Sequence, residues 1–217
     1  MSGEEALAAA RARIENYRSR MSTLDDNARD LIFRESRNHN WWQERDVSDD
    51  QLREIYDLVK FAPTSANTQP MRITFLRSQE AKERLAPALM GPNVEKTMKA
   101  PVVAILGYDN TFWKNFQRFY PIRPEMADRY KENPDIAESF SYQQATLQGA
   151  YFILAVRAVG LDSGAMGGFD VGKVNEEFFK DSPVQANFLC NIGYGDLEGI
   201  KGPRLDRYAF DEVCEII

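Results

Sequence analysis

An α+β fold is what the sequence predicts, and three stretches predict it. Residues 48–63 read as an amphipathic helix, opened by the capping box Ser48-Asp49-Asp50-Gln51 and stopped by Pro63. The strand that follows Pro70 alternates Arg72 and Thr74 with Ile73 and Phe75. Val102-Val103-Ala104-Ile105-Leu106 is an unbroken apolar run, the pattern of a strand covered on both faces. Together they describe a central sheet flanked by helices.

The totals narrow the function. At 217 residues the chain suits one domain with a full core. Its 27 basic and 33 acidic residues leave a net charge of −6, which argues against a nucleic-acid partner. No apolar run approaches the ~20 residues that span a bilayer, so no membrane partner is expected. The first twenty residues are charged throughout and show no signal-peptide apolar region. Cys190 and Cys214 lack metal spacing, and the setting reads as reducing and cytoplasmic. Neither an internal repeat nor a flexible linker is evident.

In chain order, residues 4–20 form a charged helix with one apolar stripe, Leu7, Ala10, Ile14 and Tyr17. That stripe needs a surface, either on its own domain or on a second subunit. His39, the single histidine, has no carboxylate or serine motif beside it and reads as a hydrogen-bonded structural residue. The helix begun at Ser48 places Leu52, Ile55, Tyr56 and Val59 on one face. Ser78 caps another helix, carrying Ala81, Leu85 and Leu89 and ending at Gly91-Pro92. Asn93 and Lys96 then lead through Ala100-Pro101 into the apolar strand. Residues 108–134 have no steady period, and Phe112, Trp113, Phe116, Phe119 and Tyr120 fit either a helix face or a lid. The longest helix, 137–159, is apolar on every side over 149–156, so it is expected to be buried all round, as a domain centre or a dimer seam. Gly160 supplies its stop. Gly164, Gly167 and Gly168 let the backbone approach a flat ligand. A short helix over 171–179, a strand over 187–192 and a closing helix over 211–217 complete the chain.

The loop Ala62-Pro63-Thr64-Ser65-Ala66-Asn67-Thr68-Gln69-Pro70 holds five polar side chains between two prolines, and Thr64, Ser65, Asn67 and Gln69 offer hydroxyls and amides outward. Taken alone, such a loop can simply bond its own backbone. Together with Asn38-His39-Asn40, Leu147-Gln148-Gly149-Ala150-Tyr151 and Asn191-Ile192-Gly193-Tyr194-Gly195-Asp196, it resembles the flavin-dependent nitroreductase family over residues 30–217. The branch most similar is that of the malonic semialdehyde (3-hydroxypropionate) reductases. The resemblance implies a mostly antiparallel sheet, a domain-interlocked homodimer with FMN at its interface, and residues 1–30 as a helical extension of an FMN-binding domain 31–217. NADH or NADPH would reduce FMN and leave. A nitroaromatic, a quinone or a small aldehyde such as malonic semialdehyde would then be reduced in its turn.

The same resemblance distributes roles. Arg37, Asn38 and Asn40 lie at the ribityl and phosphate end. The family's Arg-x-Ser-x-[Arg/Lys] frame falls here on Ser36, Asn38 and Asn40, with Arg37 one residue out. Pro63, Thr64, Ser65 and Asn67 reach the neighbour's flavin. Asn93 and Lys96 match an Asn-x-x-Lys whose lysine faces the pyrimidine; unplaced, that lysine would be read as a surface charge. Met166, Gly167 and Gly168 bring main-chain N–H groups to the ring edge, where many relatives have Glu in place of Gly167. Arg204 meets the phosphate, and Arg207 is either its companion or a surface residue. No acid–base dyad, nucleophile triad or metal cluster is evident, so no residue is assigned as catalytic in its own right, and a flavin would supply the reactive atoms. A flavin carrier without turnover and an α/β domain without cofactor are the other readings the residues leave open.

Overall fold

The computed structural model describes residues 3–217, which divide into a unit ending at Ser36 and a second, Arg37–Ile217. In the first unit, α1 (Gly3–Ser19) is followed by α2 (Asp26–Arg29), whose Asp25 cap accepts from the Ala28 amide. A π-helical turn, Asp30–Arg34, ends it. The apolar stripe of α1 is present, but Leu7, Ile14 and Tyr17 all stay exposed.

The second unit opens with α3 (Asp49–Val59), and its capping box is made as the sequence predicts. Leu52, Ile55 and Val59 are buried. Tyr56 is not: it sits at the edge of that face, 53% exposed, a correction to the expected stripe. β1 (Met71–Leu76) starts straight after Pro70. Ser78 caps α4 (Gln79–Leu85) by accepting from the Ala81 amide. Gly91-Pro92 does not end a helix but begins one, α5 (Gly91–Lys99), because a proline in the first turn has no N–H to waste and a preset φ. β2 (Val102–Asp109) is buried at every position. Two short helices, α6 (Phe116–Phe119) and α7 (Met126–Glu132), precede the 25-residue α8 (Pro134–Ala158). β3 (Asp162–Met166), α9 (Val171–Phe178), β4 (Val184–Gly193) and α10 (Phe210–Val213) follow. The closing helix is thus four residues long rather than seven, with an exposed, extended tail beyond it.

The strand order is β1-β2-β4-β3 and every pairing is antiparallel, the α+β architecture expected. Successive side chains of β2 feed opposite layers, as a period of two dictates. Val102, Ala104 and Leu106 join Ile55, Val59, Phe152 and Val156 under α3 and α8. Val103 and Ile105 join Leu85, Val174 and Leu189 under α4 and α9. Each fully buried Val, Leu, Ile or Phe among them contributes about 1.5–3 kcal/mol.

β3 was legible only as a glycine-containing stretch. Asp-Ser-Gly-Ala-Met has little strand preference, and its pairing with β4 decides its state. Within one chain α8 is covered on one side only: Gly149, Phe152, Ala155 and Val156 are buried, while Leu147 and Tyr151 are 41% exposed. A Cβ at Gly149 would strike the Phe188 ring, so this glycine sets how closely α8 lies on the sheet. The rings of 108–134 split. Phe112, Phe116 and Tyr130 form a small core with Ala137, whereas Phe119 stays partly exposed.

Candidate functional site

α5 carries the first group of candidate residues. Asn93, Lys96 and Thr97 share one face at steps of three and four. Asn93 Nδ2 donates to the Gly168 carbonyl at 2.7 Å, and that oxygen also accepts from the Met90 amide at 3.1 Å. Lys96 Nζ donates to Asn40 Oδ1 at 3.1 Å. The Lys96 carbonyl accepts from Trp42 Nε1 at 3.0 Å and from Asn191 Nδ2 at 3.3 Å. At the far end, the buried Lys82 donates to the carbonyls of Met98 and Ala100, each at 2.9 Å, and so caps α5 from a neighbouring helix. The helix is therefore anchored at both ends and in the middle.

The electrostatics of this group single out Lys96. Burial holds its ammonium below the usual lysine range, and the same cause acts on Lys82. Among the described residues, the lysine ion pairs are those of Lys60, Lys99 and Lys180, so Lys96 has a neutral amide as partner and no carboxylate. A half-buried cation in that position favours an incoming negative charge.

Gly167 and Gly168 stand next to it and differ. A Cβ at Gly168 would collide with Asn93 Nδ2, whereas one at Gly167 meets nothing within 4 Å. A side chain at 168 would thus displace the Asn93 amide, while one at 167 has open space. Among the described residues, no hydrogen bond outside the helices and strands uses either amide as donor. The Met166 side chain is buried, its sulfur accepting from Thr97 Oγ1 at 3.7 Å.

Residues 37–40 run beside β3. Asn38 uses its whole side-chain amide on Ala165, donating to the carbonyl at 3.2 Å and accepting from the amide at 2.6 Å. The His39 amide donates to the Ser163 carbonyl, and its ring lies 3.4 Å from the Asp162 carboxylate, a neighbour the sequence did not show, whose other oxygen accepts from the Gly195 amide. Arg37 donates to the Gly202 carbonyl at 3.1 Å. Arg37, Asn40, Lys201 and Pro203 line a cavity of about 190 Å³. Arg204 and Arg207 lie on the exposed tail, and Arg207 donates to its own neighbours' carbonyls at 205 and 206. Arg157 was missed by the sequence reading. Burial lowers its guanidinium from the ordinary range, with Cys190 and Asp162 acting against that and Arg204 with it. A single charge in the apolar second half of α8 was the signal available.

The 62–70 loop forms the second group. It contains a 3-10 turn, Ser65–Asn67, and Ala66, Asn67 and Gln69 of the loop all have positive φ (51°, 50° and 46°) without being glycine. Each such residue costs about 1 kcal/mol or more, so the loop must be held by its surroundings. Thr64 Oγ1 accepts from the Gln69 amide at 3.2 Å, and Asn67 Nδ2 donates to the Phe119 carbonyl at 3.0 Å. Two buried glutamines of α8 hold the ends: Gln144 Oε1 accepts from the Ser65 amide at 2.8 Å, and Gln148 Oε1 from the Met71 amide at 3.0 Å. Neither glutamine was assigned a role from sequence. Beside the loop, Gln69, Phe119, Arg118, Tyr56 and Lys60 line a cavity of about 420 Å³. Among the described residues no hydrogen bond joins this loop to Asn40, Asn93 or Lys96.

Residues 40–194, the span holding α5, the loop and the 167–168 turn, match the family model for the nitroreductase family. The chain belongs to the nitroreductase family. A protein of Burkholderia lata with the provisional name NADH dehydrogenase/NAD(P)H nitroreductase is 45% identical over 90% of this chain and 100% of its own length. HadB of Ralstonia pickettii, provisionally named in the same way, is 46% identical over 85% of this chain and 95% of its own. Among solved structures, a nitroreductase-like protein of Exiguobacterium sibiricum in complex with FMN superposes with a TM-score of 0.75 at 20% identity, covering 91% of this chain and 99% of that one. At that identity the likeness speaks for the nitroreductase fold. In this family member no helix among the described residues is long and apolar enough to cross a membrane, and no cluster of three or more metal-ligating side chains is found among them.

Proposed function

We propose that the chain is an FMN-dependent NAD(P)H oxidoreductase that works as a homodimer. The observation that carries this is the face of α5: Asn93 latched to Gly168, with Lys96 beside it holding a cation that forms no ion pair among the described residues. The residues present fit a flavin. Two uncommitted amides at 167 and 168 suit the polar edge of a flat ring, and the lysine suits the edge where reduction leaves negative charge. FMN supplies hydride acceptance from NADH or NADPH and donation to a second substrate at the same place, in ping-pong order.

The protein's own part is binding and charge. Lys96 stabilises the reduced state more than the oxidised one, which is differential binding. Arg204 and Arg207, with Arg37 near the 190 Å³ cavity, are assigned to the phosphate. Asn38 and Met166 support through the backbone, since their side chains are spent inside the fold. Thr64, Ser65 and Asn67 are assigned to the partner subunit's flavin by the family resemblance, and among the described residues no hydrogen bond ties their loop to the α5 face. The exposed apolar positions of α8, Leu147 and Tyr151, and of the tail, Leu205 and Tyr208, give such a dimer its material. Residues 1–30 act as an extension of the flavin domain. The acceptor is a nitroaromatic, a quinone or a small aldehyde such as malonic semialdehyde, met in a reducing cytoplasm where Cys190 and Cys214 stay free.

The test is steady-state oxidation of NADH and of NADPH by the purified yellow protein, with each acceptor class in turn. Turnover above the oxygen background with at least one acceptor is expected. A protein that binds FMN stoichiometrically and oxidises neither nucleotide is a flavin carrier instead, and a colourless one that takes up no FMN refutes the proposal.

A further inference from the structure

The nitroreductase reading leaves unexplained why α8, otherwise a packing helix, buries two glutamine side chains. Gln144 and Gln148 are four residues apart, hence on one helical face, and are 8% and 4% exposed. Each uses its Oε1 on a backbone amide, and the two amides, Ser65 and Met71, stand at the two ends of the same loop. Between them lie the three non-glycine residues of positive φ. A loop with that backbone relaxes toward other conformations unless its ends are held. Ordinary packing gives no reason for polar side chains there, since Leu or Met would fill the same space without a partner to satisfy.

We infer that Gln144 and Gln148 are positioning residues that hold loop 64–71 in the shape that contacts the flavin. This rests on the reading of Ser65 and Asn67 as flavin contacts. The pins act through the loop and touch no cofactor themselves. Ligand affinity then scales with the fraction of chains whose loop is already in the binding shape, so loosening an end weakens FMN binding without removing any flavin contact. Gln144 also reaches the aromatic segment at second hand, because Asn67, one turn from Ser65, donates to the Phe119 carbonyl.

The experiment compares Gln144→Met with Gln144→Glu. The methionine keeps much of the volume and loses the acceptor; the glutamate keeps an acceptor oxygen in either protonation state. FMN affinity is read by flavin fluorescence, and amide exchange over 64–71 is read on the FMN-free protein. We expect Gln144→Met to raise the FMN Kd about tenfold, equivalent to ~1.4 kcal/mol, and to speed exchange at Ser65 while Met71 stays protected. Gln144→Glu restores both. Unchanged exchange and affinity in Gln144→Met overturn the inference, as does a glutamate variant no better than the methionine one, which would make the site one of packing alone. Should Gln144→Met not fold, Gln148→Met with exchange at Met71 makes the same comparison from the other end. Asn67→Ala and Ser65→Ala separate the two levels: if neither alters FMN affinity while Gln144→Met still loosens the loop, the flavin-contact reading fails and takes the functional part of this inference with it.

Discussion

Replacing Lys96 by Met tests the electrostatics of the α5 face most directly. Two opposite unit charges ~4 Å apart attract by about 4 kcal/mol at an effective dielectric of 20. Lys96 is half exposed, and solvent and salt take away more than half of that, leaving roughly 1.4–2 kcal/mol for the difference between reduced and oxidised cofactor. For a two-electron couple, about 30 mV corresponds to 1.4 kcal/mol, so the midpoint potential of the bound flavin is expected to fall by roughly 30–45 mV. Reduction by NAD(P)H should slow about tenfold for each ~1.4 kcal/mol lost. The stability effect has the opposite sign. Burial lowers the folded pKa of Lys96, so the buried charge costs stability wherever both states hold the proton, and between that lowered pKa and 10.5 the unfolded chain binds more protons than the folded one. That cost falls as pH rises toward 10.5, and Met removes it. The variant should thus melt at the same temperature or higher while its potential drops. A dye-coupled potential titration, stopped-flow reduction and a melting curve decide the matter. An unchanged potential in a variant that retains FMN would refute the reasoning and return Lys96 to the status of a surface charge.

The remaining expectations are more local. Gly168→Ala forces a Cβ into Asn93 Nδ2 and should weaken FMN retention by about 1–3 kcal/mol through the lost latch; Gly167→Ala, with open space, should change it by less than about 0.5 kcal/mol. Phe116→Ala should destabilise the fold by about 3–5 kcal/mol in denaturant melts, because Phe116 is 2% exposed in the small aromatic core. Phe119→Ala, at the rim of the 420 Å³ cavity, should spare stability and alter acceptor KM instead. Burial first, then the charge of Glu138, pushes the Tyr108 phenol up to about 12. With its folded pKa raised, Tyr108 contributes stability below about pH 10 that is lost as pH rises toward 12, so Tyr108→Phe should flatten that alkaline decline and remove the latest phenolate absorbance change.

The elements that were legible are those whose side chains carry their own periodicity. β2 announced itself by an unbroken apolar run, and α3 by a capping box whose two hydrogen bonds are both made. β3 and α5 were not, for different reasons. β3 is a strand because β4 offers it a ladder, and nothing local in Asp-Ser-Gly-Ala-Met prefers that state. α5 is nine residues long and begins at Gly91-Pro92, a pair that stops a helix when read from one side and starts one when read from the other. Tyr56 and Tyr151 show the same limit for burial: a helical stripe predicts which face turns inward, but its rim depends on what the neighbouring elements cover.

The candidate site divides along that same line. Residues such as Asn93, Lys96, Ser65 and Asn67 could be named because short motifs carry them, yet what each side chain does is set by partners distant in sequence. Asn38 looks like a free amide in the sequence and is spent on Ala165, 127 positions away. Gln144 looks like an ordinary polar residue of a long helix and holds an amide 79 positions away. Met166 looks like part of a glycine-rich ligand turn and is buried against Thr97. In each case the deciding fact is whether a polar group has already been satisfied within the fold. A buried or half-buried polar group that is satisfied supports the site from behind. Lys96, with a cationic end and a neutral amide for a partner, keeps its charge available, and this is why it, among the motif residues, makes the sharpest test of the chemistry.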